Sequence, residues 1–395
     1  MTHRIVVLGA GYAGASAAGR LARRLHPDHT EITVVNAAPE FVERVRLHQL
    51  ATGQHLTRRT LRDIFAGSGV RVRVARVTGV DVERRTVALD ADEIGYDTLV
   101  YALGSTAADQ GVPGVAEHAH DVAGSASALR LRERLADLDA GGTVLIVGGG
   151  LTGLEAATEI AEARPDLDVA IASRGGLGDW LDAGAQQHLA EVFDRLGIAV
   201  HAHTDVARVE ATGVVTGDGR RIPAEVTVWS AGFAVHPIAA ATTLTVAPSG
   251  QIVVDATMRS VSHPDVYAIG DAALAEGPGG KPLRMACASG VPMAWQAADA
   301  IAARLTGRPV PKVLLRYFNQ CVSLGRRDGL IQFVTADDRT KAFHVRGRLA
   351  ARYKELVCRG AAWLVSHPTL LLPTRRRRID ALAADGTARP STSGV

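Results

Sequence analysis

Cysteine is scarce in this chain of 395 residues. Only Cys287, Cys321 and Cys358 occur, at intervals that make no CxxC pair, no zinc-ligand spacing and no even disulfide framework. That excludes a disulfide-stapled scaffold and sets a reducing, cytoplasmic compartment as the expectation. Aromatic residues are 4% of the chain, and lysine is reduced to four positions, so arginine carries nearly all the positive charge. No run approaches the roughly 20 apolar residues of a membrane-spanning helix. The strand-like Arg4-Ile5-Val6-Val7-Leu8 is preceded by no basic-then-apolar leader, so no signal peptide is expected. A net charge of +3 is too balanced for a dedicated nucleic-acid binder. The sequence also shows no catalytic triad and no metal-ligand cluster.

Glycine and short apolar runs are present in quantity, and two segments repeat one pattern. Ile5 to Leu8 precedes Gly9-Ala10-Gly11-Tyr12-Ala13-Gly14, a small-residue helical stretch from Ala15 to Leu25, and a β-branched run from Ile32 to Val35. Val144 to Val147 precedes Gly148-Gly149-Gly150-Leu151-Thr152-Gly153, a helical run from Leu154 to Ala163, and a strand from Val169 to Ala172. Each is a βαβ unit with G-x-G-x-x-G at the strand-to-helix junction. There a helix N-terminus offers free amides to a pyrophosphate. Gly9 and Gly148 make the turn, Gly11 and Gly150 let backbone meet phosphate, and Gly14 and Gly153 let helix approach strand. The alternative is a glycine turn in an α/β domain that holds no ligand.

Further runs end in glycine: Thr98 to Gly104, Val226 to Gly232, and Val266 to Gly270 with Asp271 directly after it. Pro292 to Leu305 reads as a helix opening near a proline. The stretch after Pro373, with Arg375, Arg376, Arg377 and Arg378, reads as a frayed basic tail.

In this order the landmarks resemble the type II NADH:quinone oxidoreductases, flavoproteins with two dinucleotide domains, from about Ile5 to Gly329. The resemblance implies an α/β fold of two Rossmann-like dinucleotide-binding domains, as in glutathione reductase, plus a smaller C-terminal α+β domain. It divides the chain into a first FAD-binding part (1–112), an NAD(P)H-binding domain (113–232), a second FAD-binding part (233–308), a C-terminal domain (309–373) and a basic tail (374–395). The first motif would bind FAD and the second the nicotinamide cofactor. The weaker alternative is NAD at the first. Leu47 to Gly53, with His48, resembles the segment that lines the flavin. Ala102-Leu103-Gly104 and Ala231-Gly232 resemble the chain crossings between domains. Gly270-Asp271 resembles the second FAD fingerprint, whose aspartate holds the ribityl chain, and Ser323 to Gly329 resembles the start of the C-terminal domain. Glu155 falls where the family has a glutamate linked to proton handling near the acceptor. The competing reading is an acid favouring the dipole of the helix's first turn.

Several positions depart from the pattern. Asn36 and Ser173-Arg174 stand where a ribose-binding acid is expected. Asn36 can still bond ribose hydroxyls, while Arg174 suits a 2′-phosphate, which predicts NADPH over NADH or use of both. The alternative for Arg174 is a solvated surface arginine. Ala288 and Pro292 occupy the two positions where the family has glutamines orienting a quinone, and Cys287 just before them reads as a small buried apolar residue. The segment from Leu349 to Leu372, with Trp363, reads first as a helix packed on the flavin domain and second as a peripheral membrane contact.

The activity expected is hydride transfer from NAD(P)H to flavin N5, then two electrons to a small-molecule acceptor, a quinone or another organic compound. The alternatives are a biosynthetic flavoenzyme acting on one metabolite and a non-catalytic, flavin-bearing redox sensor.

Overall fold

A computed structural model of the chain describes residues 2–311, 315–369 and 376–380. It begins with β1 (His3–Leu8), α1 (Tyr12–Arg24), β2 (Thr30–Asn36), the short α2 (Leu47–Ala51), β3 (Arg71–Val74) and β4 (Thr98–Tyr101). Then come β5 (Ala119–His120), β6 (Thr143–Val147), α3 (Leu151–Ala163), β7 (Asp168–Ala172), β8 (Ala199–His201) and β9 (Val226–Trp229). β10 (Val266–Ala268) and α4 (Cys287–Leu305) follow, then β11 (Asn319–Ser323), β12 (Gly329–Val334), β13 (Thr340–Arg346) and α5 (Arg348–Ser366).

Two five-stranded parallel sheets frame the molecule, ordered β10-β4-β1-β2-β3 and β8-β7-β6-β9-β5. Ile5 to Leu8 and Val144 to Val147 are wholly buried, as central strands covered on both faces require. Each glycine motif therefore leaves the carboxyl edge of a central strand, where open α/β sheets take ligands. β10 joins the first sheet beside β4, so the whole second sheet is inserted between two parts of the first. The antiparallel sheet β11-β12-β13 packs with α5 as a smaller α+β unit. The α/β class and paired dinucleotide-type folds expected from the sequence are present.

α1 and α4 pack tightly because both faces are alanine-rich. Ala15 and Ala18 on one side, and Ala294, Ala297 and Ala298 on the other, are fully buried. A two-arginine clamp crosses this contact. Arg20 binds Asp299 through Nε and Nη2 at 2.8 and 2.7 Å, and Arg24 Nε adds a bond of 3.0 Å.

The helix expected from Pro292 begins five residues earlier, at Cys287, with Pro292 inside it. Proline gives up its own amide bond and crowds the preceding turn, but that turn is Ala288-Ser289-Gly290, small enough to admit the ring. The basic segment also differs from a frayed tail where it is described. Arg377 pairs its backbone with Arg24 and His26, and Asp380 N donates to Leu305 O. Arg375, Leu370 to Leu372 and residues 381–395 lie outside the described residues.

Asp299→Ala removes the carboxylate and leaves two guanidinium groups facing one another. Its unfolding free energy should fall by about 2–3 kcal/mol, read as a lower midpoint in urea. A midpoint equal to wild type would show that the clamp adds nothing.

Candidate active site

Both glycine motifs open on one cleft of about 1330 Å³. The glycines divide into two kinds. Gly9 has φ +93°, and a Cβ there would lie 2.3 Å from Ala102 O. A Cβ on Gly14 would lie 1.9 Å from Gly9 O. The second motif repeats this, with Gly148 at φ +123° against Ser230 and Gly153 at 1.8 Å from Gly148 O. These four glycines are required by the packing of turn on strand. Gly11 and Gly150 meet no atom within 4 Å, so the protein itself does not demand glycine there. What does is a group approaching from the cleft, at amides that have no acceptor in their own helix. The residues present thus fit a dinucleotide at each turn.

Around the first cradle, Ala102, Leu103, Gly104, Gly270 and Asp271 line the cleft. Asp271 accepts from Ser105 Oγ at 2.6 Å and lies 3.7 Å from Arg44 Nη1. Arg44 donates to Ser105 O at 2.6 Å and lies over the Phe233 ring, and burial lowers its pKa. Its Nη2 is buried without a hydrogen-bond partner, as is Tyr12 Oη, so the cradle leaves polar atoms for a ligand to meet. Asn36 lines the cleft, but its side chain also secures the turn: Oδ1 accepts from Ala10 N and Nδ2 donates to Ala38 O.

Around the second cradle, Leu151, Thr152, Ser173, Arg174, Ala231 and Gly232 line the same cleft. Ser173 is buried beneath the turn, so that a Cβ on Gly149 would lie 2.4 Å from its Oγ. Arg174 is exposed. The sequence showed no carboxylate at this point, but the loop folds Asp179 back to accept from Gly176 N at 2.6 Å, and Asp205 also lines the cleft.

Further along the cleft, Glu155 does not sit in a first helical turn. α3 begins at Leu151, three residues before the expected Leu154, which places Glu155 on the second turn and removes the dipole explanation. Its partner is Lys354 of α5, at 3.0 Å, and Ser323 N and Oγ donate to it at 3.1 and 3.2 Å. Burial opposes the charge on both groups, yet each answers the other: Glu155 is held below the usual carboxylate range and Lys354 above the usual amine range. His48 Nδ1 lies 3.9 Å from Glu155, but burial pushes the imidazole down to about 4, so it is neutral, and its Nε2 has no partner.

The three cysteines, distant in sequence, all line this end of the cleft. Burial raises each thiol, Cys358 to about 12, so they are protonated rather than nucleophilic thiolates. Ala288 lines the cleft and Pro292 is not among the residues that do. Asn319 and Gln320 of β11 also line the cleft, their side-chain amides donating to Tyr353 Oη at 2.8 Å and Asp338 Oδ1 at 3.1 Å. Sequence reasoning missed these two, along with Arg44, Ser105 and Lys354. Only Lys354 carried a signal, as one of four lysines in an arginine-dominated chain.

Two dinucleotide cradles meeting in one cleft define an FAD- and pyridine-nucleotide-dependent oxidoreductase. The chain belongs to the pyridine nucleotide-disulphide oxidoreductase family, whose pattern it matches over residues 3–302. It is 30% identical over 344 residues to an NADH dehydrogenase-like protein of Mycobacterium tuberculosis, covering 82% of this chain and 86% of the relative. It is 26% identical to a demethylphylloquinone reductase of Synechocystis, covering 83% and 86%. In fold it resembles the sulfide:quinone oxidoreductase of Aquifex aeolicus, with a TM-score of 0.79 at 18% identity, covering 94% and 93%. The resemblance to NADH dehydrogenase-like flavoproteins read from the sequence therefore holds.

The two kinds of glycine separate in experiment. Gly11→Val should unfold at the wild-type midpoint while binding FAD at least about tenfold more weakly. Gly14→Val should fail to fold. Equal FAD affinity in a folded Gly11→Val protein would refute the reading of the open cradle.

Proposed function

We propose that this chain oxidises NAD(P)H through FAD and passes two electrons to a quinone-like aromatic acceptor seated beside Glu155 and Lys354. When bound, FAD supplies the redox chemistry, taking a hydride from the nicotinamide and giving two electrons to the acceptor. The chain supplies alignment and charge. Gly9 to Gly14 and Gly148 to Gly153 hold the two pyrophosphates, and Asp271, with Arg44 and Ser105, holds the ribityl side. The observation that carries the acceptor assignment is the buried Lys354–Glu155 pair at 3.0 Å. A carbonyl gaining electrons becomes an oxyanion, which a fixed ammonium stabilises, while the neighbouring carboxylate can take up a proton and pass it on. The relative named as a demethylphylloquinone reductase supports the choice of acceptor.

Anaerobic NAD(P)H should bleach the flavin rapidly, and menadione should restore its colour. Lys354→Met should leave bleaching intact and slow the restoration by about tenfold or more. A wild type that never bleaches would favour the redox-sensor alternative. One that bleaches but is reoxidised only by a single metabolite in an acceptor screen would favour the biosynthetic one.

NADPH is the favoured donor. Arg174 is exposed at the cleft and has no ion pair among the described residues, while Asp179 is tied to Gly176 N. Arg174→Ala should raise the NADPH Kd about tenfold and leave the NADH Kd within about twofold. Equal losses for both nucleotides would remove the 2′-phosphate role.

A peripheral membrane contact is favoured by one face of α5. Leu349 and Leu356 are 70% and 68% exposed, Trp363 and Leu364 lie further along, and Arg348, Arg352 and Arg359 are interspersed. The helix's other side lends Lys354 and Cys358 to the cleft, so an acceptor dissolved in a bilayer would need no passage through water. Leu356→Glu should reduce co-sedimentation with anionic vesicles, to which each nearby arginine contributes about 1 kcal/mol. No co-sedimentation of the wild type would dismiss the contact.

A further inference from the structure

Three glutamates of α3 lie along one line. Glu155, Glu159 and Glu162 recur at i, i+4 and i+7, on one helix face. That face meets the turn after β11, whose amides are taken up in order. Ser323 donates to Glu155, Gly325 N to Thr158 Oγ1 at 3.0 Å, and Arg326 N to Glu162. Glu155 opens on the large cleft. Ser323, Gly325 and Arg326, with Gln54 and Glu355, line a second cleft of about 720 Å³. Glu155 and Glu159 are one helical turn apart, about 6 Å along the axis, and Glu159 bonds side chains that line the second cleft.

Glu159 has no part in the chemistry described so far. It is 1% exposed. One oxygen accepts from the Gln54 amide. The other, Oε2, accepts no hydrogen bond, although Arg326 Nε lies 3.2 Å away. The groups facing it are Arg326 from the β11 turn, Gln54 after α2, and Glu155 and Glu162 on its own helix. Beyond Arg326 stands Glu355 of α5, which also pairs with Arg46. Burial pushes the Glu159 carboxyl up to about 7, against the pull of Arg326 and Gln54, with Glu162 and Glu155 adding to the rise. Lys354 is held charged, Glu155 ionised and His48 neutral, so among these Glu159 is the group that exchanges a proton near neutrality.

Resting on the quinone-like acceptor assigned above, we propose that Glu159 relays a proton from water in the second cleft to Glu155, and through it to the reduced acceptor. The stoichiometry requires such a route. Converting a quinone to its hydroquinone takes two electrons and two protons. The hydride from the nicotinamide accounts for both electrons and one proton, and the second proton comes from water. The Glu159 carboxyl releases its proton toward Glu155, Glu155 passes it to the acceptor oxygen, and water in the second cleft reprotonates Glu159. Glu159 touches neither acceptor nor cofactor and acts through Glu155.

The test compares acceptors that consume protons with one that does not. Holoenzyme reduced by NADH is reoxidised by menadione, by dichlorophenolindophenol and by ferricyanide, which takes electrons alone, between about pH 6 and pH 9. In the wild type the menadione rate should fall as pH rises through about 7, where the protonated carboxyl is lost. Glu159→Gln should be at least about tenfold slower with both proton-consuming acceptors, flat with pH, and within about twofold of wild type with ferricyanide. Glu159→Asp should recover the pH dependence, and it replaces the glutamine variant should that one lose its flavin. An unchanged menadione rate and pH profile in Glu159→Gln would overturn the relay, as would equal losses with all three oxidants. A wild type that ferricyanide reoxidises but menadione and the dye do not would overturn the acceptor assignment itself, and the relay with it.

Discussion

The feature on which the proposed acceptor side depends is a buried ammonium facing a buried carboxylate. Lys354 and Glu155 come from elements almost two hundred residues apart, and each would be costly alone in a low-dielectric interior. Together, at 3.0 Å and with Ser323 donating to the carboxylate, they join α5 to α3 and close the acceptor end of the cleft. Hydrophobic groups of the same volume could hold the two helices as well. A charged pair retained at such expense is therefore better explained by the chemistry at the cleft than by fold stability.

Burial, more than that pair, sets the state of its neighbours. His48 is as buried as Glu155, but it lies beyond hydrogen-bond reach and gains too little from the carboxylate to offset the loss of water, so it remains neutral. The thiols of Cys287, Cys321 and Cys358 share the ammonium's vicinity, yet burial dominates and keeps them protonated. Beside Glu155 the cleft thus holds a fixed ammonium and a fixed carboxylate, with the nearby thiols protonated. Such a chamber suits passage of electrons to a bound acceptor better than covalent thiol chemistry.

The parts legible in the sequence were those with a local cause. A glycine whose Cβ would strike a backbone oxygen leaves a fixed spacing in the chain, so both cradles could be read from Gly9 to Gly14 and Gly148 to Gly153. Asp271, which lines the cleft, was singled out through the resemblance of Gly270-Asp271 to the family's second FAD fingerprint. The start of α4 was misread because a proline ordinarily marks a helix's first turn, and only the small residues before Pro292 let it sit deeper. Lys354, Arg44, Asn319 and Gln320 have no local signature. They are functional candidates only because β11, α5 and the turn before α2 are folded against the same cleft, and nothing in their neighbours in sequence records that. The cysteines make the same point in reverse, since wide spacing in sequence concealed a shared location.

The two ends of the cleft treat charge in opposite ways, and the division follows from what each must hold. At the cradles the protein offers backbone amides and open glycines, because a pyrophosphate brings its own charge and needs only oriented dipoles to meet it. At the far end, in the proposed function, an uncharged acceptor arrives and becomes charged only as it is reduced. The matching charge must already be in place, since reorganising solvent or side chains at that moment would add to the barrier. Amides alone would not suffice there, and a mobile surface lysine would be hydrated and screened. A lysine buried on α5, neutralised in advance by Glu155, avoids both problems. On that proposal, this is why the acceptor end depends on a helix outside the two dinucleotide folds.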